Sequence, residues 1–321
     1  MIVFVTTRRH RYTLARLKPT EHGFPVPKIR SMSYDRLFRS LFVPRATYIF
    51  TDFDRLNVWE QRVAADYFRI LSAVGLRCLN DPARVRTRFE LLDTLYREGI
   101  NPQAVYRADA APRPVRFPVF IRFDDHVKPD AVLLYDQSEL DAALSAMRER
   151  GVPLRGVLVL EFCGEEQRPG FWTKWGAFRV GGGSSLDHIA VDDNWMVKYG
   201  QWDLLSDAFV AEENDAVVAN RLPDKVVRSF KIAGIDFGRA DFAFVGGEPV
   251  IYEINTNPYV GKFVPDPIPL RRQTQLQARR RFAEMLAAID TPERGLTRIR
   301  PSELVRFRRG FVPGLLPHQQ P

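Results

Sequence analysis

Residues 238–258, GRADFAFVGGEPVIYEINTNP, gather oxygen-bearing side chains at spacings that could hold a cation. Glu253 and Asn255 are two apart, so a β-strand points both to one face. Asp241 lies across a Gly246-Gly247 turn, and a hairpin brings it onto that face. Two carboxylates and an amide carbonyl are what hard Mg²⁺ takes together with phosphate oxygens. Arg239 precedes Asp241 by two and shares its side. A guanidinium beside a bound cation makes sense when an anion lies between them, such as a phosphate or acyl phosphate. The plain alternative is a hairpin whose carboxylates are merely solvated. No Ser/His/Asp or Cys/His set and no CxxC or HExxH pattern accompanies it, which argues against nucleophilic and zinc chemistry.

The surrounding periodicity alternates strand and helix. Strands are expected at 1–7, 46–51 and 76–79, and helices at 34–42, 57–74 and 85–98, the last after an Asn80-Asp81-Pro82 turn. That order implies a parallel α/β layer. After a linker at 111–114, strands are expected at 117–123, 157–162, 172–180 and 188–199. Helices follow at 138–150, 203–220, 224–234 and 271–289, and the hairpin strands at 240–245 and 249–254. Gly181-Gly182-Gly183 reads as a turn, lacking the Lys and spacing of a phosphate-binding P-loop. The chain therefore divides into an α/β domain over 1–114, a two-lobed domain over 115–290 (lobes 115–200 and 201–290), and an Arg/Pro-rich tail over 291–321.

The chain has 321 residues, 45% hydrophobic and 27% charged, a globular composition and not a disordered or fibrous one. No apolar run approaches the roughly 20 residues of a membrane span. The N-terminus lacks a secretory pattern, and Cys78 and Cys163 cannot staple a secreted scaffold, so a reducing cytoplasm is expected. The net charge of +8 is uneven. Residues 1–50 carry +8, residues 270–321 carry +7, and the middle carries −7. A basic stretch over 8–45 could meet an acidic partner, a carrier-bound substrate or nucleic acid; equally, it is a solvated Arg-rich surface. His10, His22 and His318 are expected to be exposed, and His188 to be a packed structural residue.

Arg239-Ala240-Asp241 followed by Glu253-Ile254-Asn255-Thr256-Asn257-Pro258 resembles the R-x-D and E-x-N-x-x-P signature of the ATP-grasp superfamily, in the branch of D-alanine–D-alanine ligase and the ribosomal-protein glutamate ligases. The resemblance implies an N-terminal Rossmann-like domain before a two-lobed ATP-grasp domain. It implies that Asp241, Glu253 and Asn255 hold one or two Mg²⁺ ions and that Arg239 stabilises the transferring group. Arg88 and Arg122 match two nucleotide lysines of the family, with a longer, forked group in place of each. Lys198, in Met196-Val197-Lys198-Tyr199, matches a third phosphate contact. The backbone of Glu161, Phe162 and Cys163 matches the hinge that pairs with adenine, and Cys163 is expected to pack without acting as a nucleophile. Lys174 stands near a position where relatives often carry a ribose-binding acid, which leaves Glu165 or Glu166 for that role. Residues 123–130 lack the glycines of the family's phosphate flap, so His126 or Lys128 could contact phosphate instead.

What the resemblance implies is an ATP-dependent ligase that joins a carboxylate to an amine through an acyl phosphate, the substrates being small molecules or peptides. The first substrate would lie near Asn257 and Tyr259. An ATP-grasp kinase and a degenerate nucleotide-binding regulatory module are the alternatives.

Overall fold

The structure is a computed structural model, which describes residues 1–124, 132–198 and 200–305. The chain runs β1 (Ile2–Thr6), α1 (Pro19–His22), β2 (Ile29–Ser33), α2 (Tyr34–Arg39), β3 (Phe42–Pro44), β4 (Thr47–Phe50), α3 (Val58–Ala73), β5 (Cys78–Leu79), α4 (Arg88–Arg97) and β6 (Val105–Arg107). It continues with β7 (Val119–Phe123), α5 (Gln137–Glu149), β8 (Val157–Glu161), β9 (Trp172–Val180), β10 (Gly183–Asp192), α6 (Asp207–Val218) and α7 (Asp224–Ala233). It ends with β11 (Phe237–Val245), β12 (Glu248–Asn255), α8 (Pro269–Ala288) and β13 (Leu296–Arg298).

This is an α/β molecule, as the alternation implied. The first sheet is parallel in the order β2-β1-β4-β5. All five residues of β1 are buried, the signature of a strand covered on both faces. The second sheet, β6-β8-β7, is antiparallel, and the third, β10-β9-β11-β12, is antiparallel with the β11–β12 hairpin at its edge. Gly246 and Gly247 both have positive φ, which lets the two-residue turn follow the strand twist.

Several boundaries differ from the sequence expectation. Helix α4 starts at Arg88, not 85, because Thr87 and Glu90 form a reciprocal capping box that fixes the first turn. The strand expected over 188–199 is β10, which begins at Gly183 and ends at Asp192. Strand β6 hydrogen-bonds to β8, so residues 105–107 belong to the second sheet. Part of the Arg/Pro-rich tail packs on the body of the chain: β13 pairs with β3, and Ile299 and Val305 join the core cluster of Val3, Val5 and Tyr48. Residues 306–321 lie outside the described residues. Among the described residues, no helix is long and apolar enough to cross a membrane.

The first domain and the hairpin lobe share an apolar seam of Ile2, Phe4 and Leu79 against Phe178, Val180, Phe237 and Leu286. The rings of Phe4 and Phe237 meet edge-on at 4.9 Å. Asn80 bolts this seam. Read from sequence as a plain turn residue, it is fully buried with φ +61. Its Nδ2 donates to the carbonyls of Phe50 and Phe237, and its Oδ1 accepts from the N–H groups of Asp236 and Phe237. Asn80→Ala leaves these groups buried without partners and should cost about 3 kcal/mol of stability. Urea unfolding checks this; a loss below about 0.5 kcal/mol, as for an ordinary surface change, contradicts it.

Candidate functional site

The hairpin register sets the site. Asp241 pairs directly with Glu253, and Arg239 with Asn255, so all four side chains share one face. A bulge between Asp241 and Phe242 places one extra residue, Tyr252, on β12 and sharpens the local twist. These residues line a cleft of about 860 Å³ together with Arg88, Arg122, Lys174, Lys198, Asn257 and Tyr259. Eight Lys and Arg side chains line it against five carboxylates, a balance that favours an anionic occupant.

Both hairpin carboxylates carry cations. Arg88 Nη2 donates to Glu253 Oε2 at 2.9 Å, and Arg122 Nη2 donates to the same oxygen. Arg88 also donates to the Phe123 carbonyl. Burial alone would raise the Glu253 carboxyl, but the positive charges of Arg122 and Arg88 outweigh it and hold the group at about 2. Burial pulls the Arg122 guanidinium below its ordinary value; Glu253 opposes this, and neighbouring Arg88 adds to it. Asp241 is gripped by Arg239 Nη1 and, at 3.2 Å, by Lys174 Nζ.

Lys174 was not legible as a site residue. It sits on β9, two residues from Gly176, which pairs across to Asp241. That diagonal turns the ammonium onto Asp241. Glu165 and Glu166 accept from the N–H groups of Gly246 and Gly170 and do not line the cleft. Gly176 has a second function. A Cβ there would overlap the Arg239 guanidinium, so glycine opens the channel in which Arg239 lies. The bulge of β10 between Leu186 and Ile189 presents Asp187, which accepts from Arg239 Nε at 3.3 Å. Burial would raise Asp187, but the charges of His188 and Arg239 hold it well below the usual carboxylate range. His188, expected to be packed, is half exposed and pairs with Asp187 at 2.8 Å.

The remaining expectations separate. Lys198 is exposed and lines the cleft, on an irregular segment and not on a strand. Tyr259 is exposed and lines it too. The hinge is corrected in part. The N–H groups of Glu161 and Phe162 already donate to the carbonyls of Ala104 and Pro118, so neither is available to a base edge. The Glu161 carboxylate is buried and accepts from Ala104 N–H, the Tyr106 hydroxyl and Arg116. Phe162 packs against Trp172 and Trp195, and Trp195 in turn against Phe120. Burial pushes the Cys163 thiol up to about 12, which keeps it protonated, and it contacts Gln103. None of these three residues lines the cleft.

Asn257 lines the cleft with its amide already engaged. Its Nδ2 donates to Asp52 Oδ1 at 2.8 Å and its Oδ1 accepts from Thr13 at 2.7 Å, so it ties the hairpin lobe to the first domain. His10 is no surface residue but part of this cluster. His126 and Lys128 lie outside the described residues, as does His318.

Among the described residues, no group of three or more His, Cys, Asp or Glu is arranged to hold a metal ion. Asp241, Glu253 and the Asn255 amide are all oxygen-bearing and share one face, the donor chemistry that Mg²⁺ takes when phosphate oxygens complete its shell.

No family model and no curated protein matches the sequence. Solved structures do match. One is the RimK domain ATP-grasp protein of Sphaerobacter thermophilus, with 17% identity over 88% of this chain and 98% of that one and a TM-score of 0.47. Another is D-alanine–D-alanine ligase of Bacillus anthracis complexed with ATP, with 12% identity, 88% and 98% coverage and a TM-score of 0.45. A third is the D-cycloserine synthetase DcsG, with 17% identity, 89% and 99% coverage and a TM-score of 0.45. The chain is similar in fold to these structures over most of its length, and the likeness is one of fold alone.

The ion pairs make the site pH-sensitive. The Glu253 value of about 2 lies below the ordinary 4.5, so the ionised form stabilises the fold above about 4.5, and that contribution is lost as pH falls toward 2. Glu253→Gln should therefore lower the thermal midpoint at pH 7, and the gap from the native protein should narrow as pH falls through that window. A constant gap contradicts the pairing.

Proposed function

We propose that the protein is an ATP-dependent ligase joining a carboxylate to an amine, with an acyl phosphate between the two steps. One observation carries this: two carboxylates, an amide and a guanidinium share the face of one hairpin inside a cleft lined by further cations. The cleft suits a triphosphate. Arg88, Arg122, Lys174 and Lys198 supply positive charge for its oxygens. Asp241, Glu253 and Asn255 would hold Mg²⁺, which when bound supplies further positive charge to the phosphates.

The cations that grip Asp241 and Glu253 are the groups that would turn to phosphate when nucleotide enters. Arg239, fixed between Asp187 and Asp241 and given room by Gly176, would stabilise negative charge on the transferring phosphoryl group and then on the tetrahedral adduct of amine and acyl phosphate. No protein nucleophile is needed; positioning and electrostatics supply the catalysis. The substrates are read as small-molecule or peptide carboxylates and amines, and Tyr259, which lines the cleft, would contact them.

A regulatory nucleotide-binding module is the second reading, favoured by the ion pairs that already occupy both hairpin carboxylates. Turnover separates the two. With Mg²⁺–ATP and mixtures of amino acids and short peptides, the ligase should release ADP and phosphate and yield a new amide mass. Arg239→Ala and Gly176→Ala should each lower turnover by about 10²-fold or more. EDTA should abolish it. ATP binding without ADP release across the mixtures supports the module; phosphorylated product without free phosphate indicates a kinase.

A further inference from the structure

The parallel sheet has its switch point between β1 and β4. From β1 the chain goes to β2 on one side and then to β4 on the other. Ligands of open α/β sheets bind outside the carboxyl ends of strands at such a point. The two strand ends here carry Thr7, His10 and Asp52. Asp52 is almost fully buried, with φ +60, a strained setting for a non-glycine residue. Its carboxylate accepts from Thr7 N–H at 2.7 Å, Thr7 Oγ1 at 2.9 Å, Asn257 Nδ2 at 2.8 Å and His10 Nδ1 at 2.5 Å. Burial would raise that carboxyl, but these hydrogen bonds outweigh it and hold it lowered.

This geometry fixes the imidazole. Nδ1 can donate to Asp52 only as N–H, which leaves the lone pair of a neutral ring on Nε2. Asn257 can only donate toward Nδ1, so its 3.2 Å approach there is a contact. Among the described residues, Nε2 has no hydrogen-bond partner, although His10 lines the same cleft as Arg239, Asp241 and Glu253. The Tyr12 ring packs edge-on against the imidazole at 5.2 Å. A buried carboxylate holding one ring nitrogen, on a histidine that lines the cleft and whose other ring nitrogen has no partner among the described residues, is the arrangement of a general base.

We propose that His10 is the proton acceptor for the amine substrate and that Asp52 is its positioning residue. The proposal rests on the ligase reading. The amine arrives as an ammonium ion. His10 Nε2 takes one proton and frees the nitrogen lone pair, which attacks the acyl carbon. The C–N bond forms, and the C–O bond to phosphate breaks with its electron pair on the leaving oxygen. The second proton leaves with phosphate as HPO₄²⁻, one hydrogen remains on the amide nitrogen, and His10 returns its proton to water.

Hydroxylamine separates the two steps, because it is uncharged at neutral pH and traps an acyl phosphate as the hydroxamate without a base. Native protein, His10→Gln and Asp52→Asn are compared with Mg²⁺–ATP and the amino-acid mixture, with and without hydroxylamine. His10→Gln should lose about 100-fold in amide formation while hydroxamate formation changes by less than about threefold. His10→Ala should regain amide formation on addition of imidazole. Asp52→Asn keeps a residue that tolerates positive φ but removes the charge that favours the imidazolium, so the acidic limb of the amide pH–rate profile should move to lower pH. The charged and titratable neighbours of His10 besides Asp52 are Tyr12 packed against it and Arg9 and Arg11 flanking it in the chain, and these stay the same in both variants. Equal loss of hydroxamate and amide in His10→Gln, or an unmoved profile in Asp52→Asn, overturns the proposal and leaves the dyad a structural clasp. Absence of both ADP and hydroxamate from the native protein instead overturns the ligase reading, and the proposal with it.

Discussion

Two carboxylates face each other across an antiparallel hairpin, and the rest of the structure answers that fact. Side by side on one sheet face and largely shielded from water, Asp241 and Glu253 repel each other and lose hydration. Countercharge must come from elsewhere. It comes from α4 as Arg88, from β7 as Arg122, from β9 as Lys174 and from the hairpin itself as Arg239. Four elements that are distant in sequence are thus drawn to one spot. The arrangement stores charge of both signs in one cleft, where an incoming polyanion with its metal could exchange partners without the backbone having to move.

The first domain serves this spot in two ways. It supplies a rigid base, through the edge-on contact of Phe4 with Phe237 and the four hydrogen bonds of Asn80. It also reaches the cleft from the switch point of its sheet, where Asp52 binds both His10 and Asn257. Asn257 follows the hairpin by two residues, so the position of the metal-type face is coupled to that of the imidazole by a short, buried chain of hydrogen bonds.

Local rules made part of this legible. Strand alternation put Arg239 with Asp241 and Glu253 with Asn255, and the Gly-Gly turn closed them into one face; the register bears this out. The capping box at Thr87 was equally local, yet the Asp-Pro turn before it drew the expected helix start too early. Lys174, Gly176 and Asp187 were hidden because their contacts depend on which strand lies beside β11, and that neighbour order is set by tertiary packing. The segment 8–45 read as a basic surface, either solvated or facing an acidic partner. Charge counting could not show that His10 folds inward, since its partner Asp52 lies 42 residues away, in the loop after β4. The hinge failed for the opposite reason: a buried strand end looks the same in sequence whether its N–H groups are free or already bound.

The central claim is that the hairpin oxygens and the cleft cations exchange partners when metal and nucleotide enter together. Its most direct test is a crystal grown with Mn²⁺ and a non-hydrolysable ATP analogue, read by anomalous scattering. The account predicts a manganese peak bounded by Asp241, Glu253 and Asn255, with Arg88 and Arg122 turned from Glu253 onto phosphate oxygens. Analogue bound elsewhere, or no manganese on the hairpin and both arginines still on Glu253, would contradict it.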